Sequence, residues 1–442
     1  MEQVILYGAG KKAFVSLKIC KFNFEPVCFV DSDELKQGTI FENTKLEVMS
    51  PQDAKKKFPD AKWFITVVKF LTRKEIQESL ISNELASIED IVNPIASLSL
   101  RYTCLSIETV LRALKQQDLW FCYDGRCTLY EKVPGVRWGG GIDDFLKMRK
   151  DWLNQLNANP KKSPCFGCAL FCEEYCDDDY KIYTVTYGTT DLSLCNFKCG
   201  YCSSGTVGDT SFCDSDNKHS FKELVETLER RNLISPIWTT LGMGSGEITV
   251  DLNRKELYEL ANKYYTQYFS NGSIFAPEID VSLKANKAEL VVSIDAGTEE
   301  TFCKIKKVNL FNEVCDNMLK YSTEGGNENI CLKYIFIPDV NDNDTDFSGF
   351  AELCGKVKPR RVIISSDCTN ASLRFTDLCD EYLERLFELV DKLMTAGFNV
   401  SMEENISFSQ NERYSLYRLA KEKDVCYLDK LRSILAIEDI SD

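Results

Sequence analysis

The chain has 442 residues, enough for two or three domains that each bury a core. Apolar and charged fractions of 44% and 27% are those of an ordinary globular protein. A net charge of −15, spread along the chain, argues against a general affinity for nucleic acid or an anionic membrane face. The opening residues MEQVILYGAGKKAF lack the basic-then-apolar pattern of a signal peptide, and no stretch reaches the roughly 18 apolar residues of a spanning helix. The expected location is therefore cytoplasmic. Twenty cysteines in a reducing compartment read as metal or cluster ligands where clustered, and as small buried hydrophobes where scattered. The one histidine, His219, reads as a surface residue at a helix start, which nearly excludes chemistry built on histidine triads or multi-histidine metal sites.

Residues 2–7, EQVILY, form a short apolar run that stops at GAGKKA, the pattern of strand, glycine turn and helix. Gly8, Gly10 and Ala13 stand at dinucleotide-binding spacing, and a second run, PVCFV, ends at Asp31, where an acid can accept from a ribose hydroxyl. The same glycines also serve simple close packing of strand on helix. KLEVM, the Ser-capped SPQDAKKKF, KWFITVV, a helical stretch and DIVNP continue the alternation. Residues 1–100 thus read as a small Rossmann-like parallel α/β domain, with nucleotide binding as one expectation. Over this short stretch the chain resembles N-terminal domains of bacterial sugar-modifying and polysaccharide enzymes. That resemblance implies a nucleotide or nucleotide-sugar ligand.

Residues 101–178 read as a connector, with helix expected in SIETVLRALKQQ and FLKMRKDWLNQL and a flexible glycine joint in GVRWGGGIDD between them. It ends in PCFGCALFCEEYC, which places Cys165, Cys168, Cys172 and Cys176 around an expected helical turn. Four thiols in twelve residues suit an auxiliary 4Fe–4S cluster or a structural zinc, or a set that ligates only in part or not at all. Cys122 and Cys127 are alternative contributors.

The densest chemical signal is CNFKCGYC at residues 195–202. Cys195, Cys199 and Cys202 are separated by three and then two residues, with no fourth Cys or His at regular spacing. Three thiolates suit a cube-shaped 4Fe–4S cluster with one open iron, and suit a closed four-ligand zinc site poorly. After this loop come a helix from about Phe221, the strand and glycine break of PIWTTLGMGSGEITV, and the strands AELVVSIDAGT, ICLKYIFIP, RRVIISSD and NVSME with helices between them. Such alternation predicts a parallel sheet, an open or partial βα barrel over residues 179–405, with its active site at the C-terminal strand ends. Residues 406–442 read as a C-terminal helical extension.

The cysteine spacing, the aromatic Tyr201 before the last Cys, the later GSGE and the segment SIDAGTEETFCKIK together resemble the radical S-adenosylmethionine (SAM) superfamily over about residues 180–370. The resemblance implies a partial (β/α)6-type barrel. It also implies a 4Fe–4S cluster on Cys195, Cys199 and Cys202 that cleaves SAM reductively to a 5′-deoxyadenosyl radical, which abstracts hydrogen from a substrate. By the same likeness Ser245, Gly246 and Glu247 face the SAM ammonium, and Ser293 and Asp295 face its ribose. Lys333, a cation in an apolar strand, is the candidate for the SAM carboxylate, against a plain role at a sheet edge. Expected partners are an electron donor such as flavodoxin or ferredoxin and a small-molecule substrate. The front domain suggests a sugar or nucleotide sugar. Peptide modification is the alternative, and an iron–sulfur or zinc scaffold without radical chemistry is a third reading. A nicotinamide-dependent oxidoreductase is disfavoured, since no catalytic His or tyrosine–lysine pair follows the front domain.

Overall fold

The computed structural model describes the chain except residues 11–12, 22–23, 42–43, 68–69, 95–98, 105, 113–115, 121–141, 163–170, 177–180, 183, 188–194, 203–220, 245, 367–377, 403–407, 409, 436 and 438–442. His219, Ser245, Cys165, Cys168, Cys122, Cys127 and the GVRWGGG joint lie outside the described residues. Four strands open the chain: β1 (Glu2–Tyr7), β2 (Phe24–Val30), β3 (Val48–Met49) and β4 (Lys62–Ile65). They form one parallel sheet in the order β3-β2-β1-β4. Alternate residues of β1 serve opposite cores, Ile5 and Tyr7 on one face, Val4 and Leu6 on the other, as expected of a sheet covered on both sides. Ser50 caps the helix Pro51–Lys57 by accepting from the Asp53 amide at 3.1 Å. DIVNP contributes only a single bridge, Trp63 to Ile91.

Next come β5 (Ser99–Cys104), β6 (Ser106–Arg112), β7 (Gln116–Trp120) and β8 (Phe171–Cys176). Here the structure departs from the expected connector. SIETVLR is strand, not helix, and β6 lies parallel to the first barrel strand while β7 returns antiparallel to it. The β-branched Ile107, Thr109 and Val110 suit an extended chain, and pairing along an open sheet edge outweighs a short helical apolar period. FLKMRKDWLNQL does lie in a helix, Ile142–Ala158.

The main sheet continues with β9 (Thr184–Tyr187), β10 (Thr240–Met243), β11 (Tyr265–Ser270), β12 (Ala288–Ser293), β13 (Ile330–Phe336), β14 (Arg361–Ser366) and β15 (Val400–Met402). All seven run parallel in sequence order, each joined to the next through helix. On β13, Leu332, Tyr334 and Phe336 pack into the core shared with the helices. Cys331 instead joins Val291 and Ile363 on the opposite face. Strand alternation therefore turns Cys331, Lys333 and Ile335 to the helix-free inside of the barrel, a choice the sequence leaves open.

The two ends of this barrel differ. At the N-terminal end Glu289 accepts from Gln267 at 2.9 Å and pairs with Arg360 at 2.9 Å and Arg361 at 3.4 Å. Burial alone would raise the Glu289 carboxyl, but the two guanidinium groups outweigh it and hold it below the ordinary value. Lys18 of the front domain, 2% exposed, adds its ammonium here by donating to Asn329. This end is a polar floor in which charges of opposite sign are paired. The C-terminal end carries the loops of interest. Among the described residues no helix is long and apolar enough to cross a membrane.

Candidate functional site

The cysteine loop follows β9 at the C-terminal end of the sheet. Its anchor is Phe197, fully buried and edge-on to Phe302 at 5.9 Å between ring centroids. This leaves Cys195, Cys199 and Cys202 half-buried, and none of the three is in a disulfide. The Phe197 amide and the Asn271 side-chain amide point at the Cys195 sulfur at 3.4 and 3.7 Å, donors placed for a thiolate. Burial pushes the Cys195 thiol up to about 11, with the Phe197 amide opposing, so a metal that takes it as thiolate must displace a proton. Among the described residues no three His, Cys, Asp or Glu side chains converge on one metal ion. A cube-shaped cluster puts each of its cysteines on a separate iron. Donor set, access and spacing fit a 4Fe–4S cluster.

Two buried carboxylates hold this loop, and both are residues the sequence assigned to SAM. Asp295 is fully buried, in a left-handed backbone conformation at φ +59°. Its Oδ1 accepts from the Ile335 amide at 2.7 Å, and its Oδ2 accepts from the Tyr201 hydroxyl at 2.6 Å and from Lys306 Nζ at 2.5 Å. Three donors are thus seated on the fully buried Asp295, and the Tyr201 hydroxyl points inward with it. Asn341 fixes the unusual backbone by donating to the Asp295 carbonyl at 2.8 Å. At Gly297 a Cβ would lie 2.0 Å from the Asp346 carbonyl oxygen, so only glycine lets the helix Asp344–Val357 pack over this turn.

Glu247 follows the same logic from the other side. Only 1% exposed, it accepts from the Thr249 amide and hydroxyl at 3.0 and 2.7 Å, from the Ser270 hydroxyl at 2.9 Å and from the Asn271 amide at 2.5 Å. Burial raises its pKa despite those donors. These protein donors hold the carboxylate in place inside the turn. Its work is to fix the turn after β11, whose Asn271 side chain donates to Asn196 at 2.7 Å beside Cys195. At the GSGE break, half-buried Gly246 bends at φ +72°.

Ser293, at the end of β12, and Lys333, in the middle of β13, are register partners, both half-buried, on the inner face. Sequence reasoning missed Asn271 and Lys306. For Lys306 a signal existed, because Phe302 four residues earlier is a core residue, and residues four apart share a helix face.

The upstream cysteines are placed differently from expectation. Cys172 and Cys176 belong to β8, antiparallel to β5, and not to a helical turn. In the front domain, Asp31 turns back on its own loop. It accepts from the Ala9 and Asp33 amides at 2.9 and 3.0 Å and from Lys36 at 2.9 Å. Gly8, at φ +113°, is required where a Cβ would strike Val67 and Thr66 at 2.6 and 2.7 Å, whereas Gly10 has open space. The front domain's cavity of about 580 Å³ lies elsewhere, between Gly38, Val48 and Lys56.

Residues 192–351 match the model of the radical SAM superfamily. No curated protein matches the chain. Among solved structures, Streptococcus suis SuiB is similar at 12% identity, over 64% of this chain and 63% of that one, with a TM-score of 0.40. A radical SAM methyltransferase from Sphaerobacter thermophilus is similar at 17% identity, over 48% and 65%, with a TM-score of 0.35. The FeFe-hydrogenase maturase HydG from Carboxydothermus hydrogenoformans is similar at 14% identity, over 55% and 58%, with a TM-score of 0.35. The chain thus spans just under two thirds of the length of these relatives.

Proposed function

Because the chain carries a radical SAM enzyme domain at residues 192–351, of a family that uses a 4Fe–4S cluster and SAM, we propose that it cleaves SAM reductively to start radical chemistry on a bound substrate. The observation that carries this is the set of three half-buried cysteines, outside any disulfide, on a loop anchored at the C-terminal strand ends. Bound there, a reduced cluster supplies the electron that splits SAM into methionine and a 5′-deoxyadenosyl radical, which takes a hydrogen atom from the substrate. Cys195, Cys199 and Cys202 hold the cluster. Lys333 receives the SAM carboxylate and Ser293 a ribose hydroxyl, side by side on the inner face. The backbone around Gly246, rather than the Glu247 carboxylate, receives the ammonium. The polar floor around Glu289 closes the far end and keeps water from entering there. A low-potential one-electron donor of the flavodoxin or ferredoxin kind serves as reductant.

The test is anaerobic reconstitution followed by assay of 5′-deoxyadenosine under dithionite. Wild type should bind iron and sulfide and form the nucleoside, and Cys195→Ala should form none. Undiminished cleavage by Cys195→Ala would overturn the assignment. The nucleotide-sugar reading rests on the Rossmann-like front domain, in which Asp31 is the expected ribose acceptor. With Asp31 engaged in its own loop, nucleotide sugars and peptides enter a substrate panel on equal terms, and the one that stimulates cleavage names the class.

A further inference from the structure

Lys306 has no part in the chemistry above, yet it is a buried cation at the site, 2% exposed. Its ammonium donates to Asp295 Oδ2 and to the Tyr201 hydroxyl, each at 2.5 Å, and lies 5.0 Å from the centroid of the Tyr201 ring. The same helix end grips the cysteine loop through its backbone. The Ile305 carbonyl accepts from the Gly200 amide at 3.0 Å, and the Lys306 carbonyl accepts from the Lys198 amide at 3.2 Å. The last carbonyls of a helix lack partners within it, and here the cysteine loop supplies two of them. The helix stops because Lys307 turns left-handed at φ +60°.

A buried cation is tolerated only when paired, and Asp295 supplies the pair. Removing either charge leaves the other unbalanced beside Tyr201, between Cys199 and Cys202. We propose that Lys306 is a positioning residue whose charge, balanced by Asp295, sets how readily a cluster on Cys195, Cys199 and Cys202 accepts an electron. This rests on the cluster assignment made above. The reduction takes one electron from an external low-potential donor and no proton, so the bound group gains one negative charge. An unbalanced carboxylate nearby opposes that gain, and an unbalanced ammonium favours it.

Reconstituted wild type, Lys306→Met, Asp295→Asn, Lys306→Arg and the double variant D295N/K306M would be titrated with dithionite and followed by electron paramagnetic resonance. K306M should make reduction roughly tenfold harder, a fall of about 59 mV for one electron, and D295N should shift it by a similar factor the opposite way. K306R should restore the wild-type value, and the double variant should lie below D295N. A role confined to holding the loop would move K306M and D295N in the same direction, and that result overturns the proposal. Equal potentials in all iron-bound forms overturn it as well. Should K306M alone lose its iron, the comparison of D295N with the double variant still decides the sign. Absence of iron in wild type would instead overturn the cluster assignment itself, and the proposal with it.

Discussion

The glycine loop at residues 8–10 and the cysteine loop at 195–202 occupy the same kind of place, just beyond the C-terminal end of a parallel strand. Each is tied down by carboxylates that a sequence-based reading assigns to a ligand. In the front domain one partly exposed acid, Asp31, closes the glycine loop onto the next strand with help from Lys36. In the barrel two fully buried acids from different strand ends, Asp295 and Glu247, brace the cysteine loop from opposite sides. The difference lies in what remains uncovered. The cysteine loop carries three half-buried thiols, whereas the glycine loop, Gly8, Ala9 and Gly10, carries no side chain larger than a methyl group. An acid after a strand is thus a weak guide to a ligand until its own donors are counted.

The largest effect on this comparison should come from Asp295→Ala. It leaves the Lys306 ammonium buried without a counter-charge and frees Tyr201, which should cost about 3–5 kcal/mol by urea unfolding. Iron uptake should fall with it, because the loop loses its inner brace. A loss below about 1 kcal/mol with full iron binding would show that the loop stands without Asp295. Gly8→Ala is the matching change in the front domain. It forces a side chain into φ +113° and against Val67 and Thr66, for a loss of about 2–4 kcal/mol. Iron binding in the barrel should be untouched. If G8A also lost iron, the two loops would not be independent.

Much of the fold was legible in the sequence, because strands such as AELVVS and ICLKYIF are apolar runs bounded by turns and joined by amphipathic helices. The exception, SIETVLR, carries apolar residues at helical spacing. Its fate was decided by an open edge at β9 some seventy residues downstream, which local pattern does not reveal. At the site, the thiols were legible because their chemistry lies in local spacing. The roles of Asp295 and Glu247 were not, because they depend on donors brought from afar, Tyr201 and Lys306 to Asp295, Ser270 and Asn271 to Glu247. The orientation of Lys333 likewise needed the neighbouring strands, since alternation names two faces without saying which is inside.

The smallest effect separates the two loops by pH. Burial would raise the Asp31 carboxyl, but the Asp33 amide, Lys36 and the Ala9 amide outweigh it and hold it below the ordinary carboxylate range. At Glu247 burial prevails over its hydrogen bonds, and the carboxyl is raised. A depressed carboxyl adds stability above its unfolded value of about 3.9, and loses it as pH falls through the folded pKa. A raised one adds stability below its unfolded value of about 4.3, and loses it as pH rises through the folded pKa. Asp31→Asn should therefore cost about 1 kcal/mol at pH 7 and progressively less on acidification. Glu247→Gln, which turns an amide toward convergent donors, should cost about 1–3 kcal/mol at pH 7 and more at pH 5. Urea midpoints for the two variants and wild type across this range should show penalties of opposite slope. Parallel slopes would mean that Glu247 is held like Asp31, by hydrogen bonds strong enough to offset its burial, and the contrast between the two loops would be one of exposure alone.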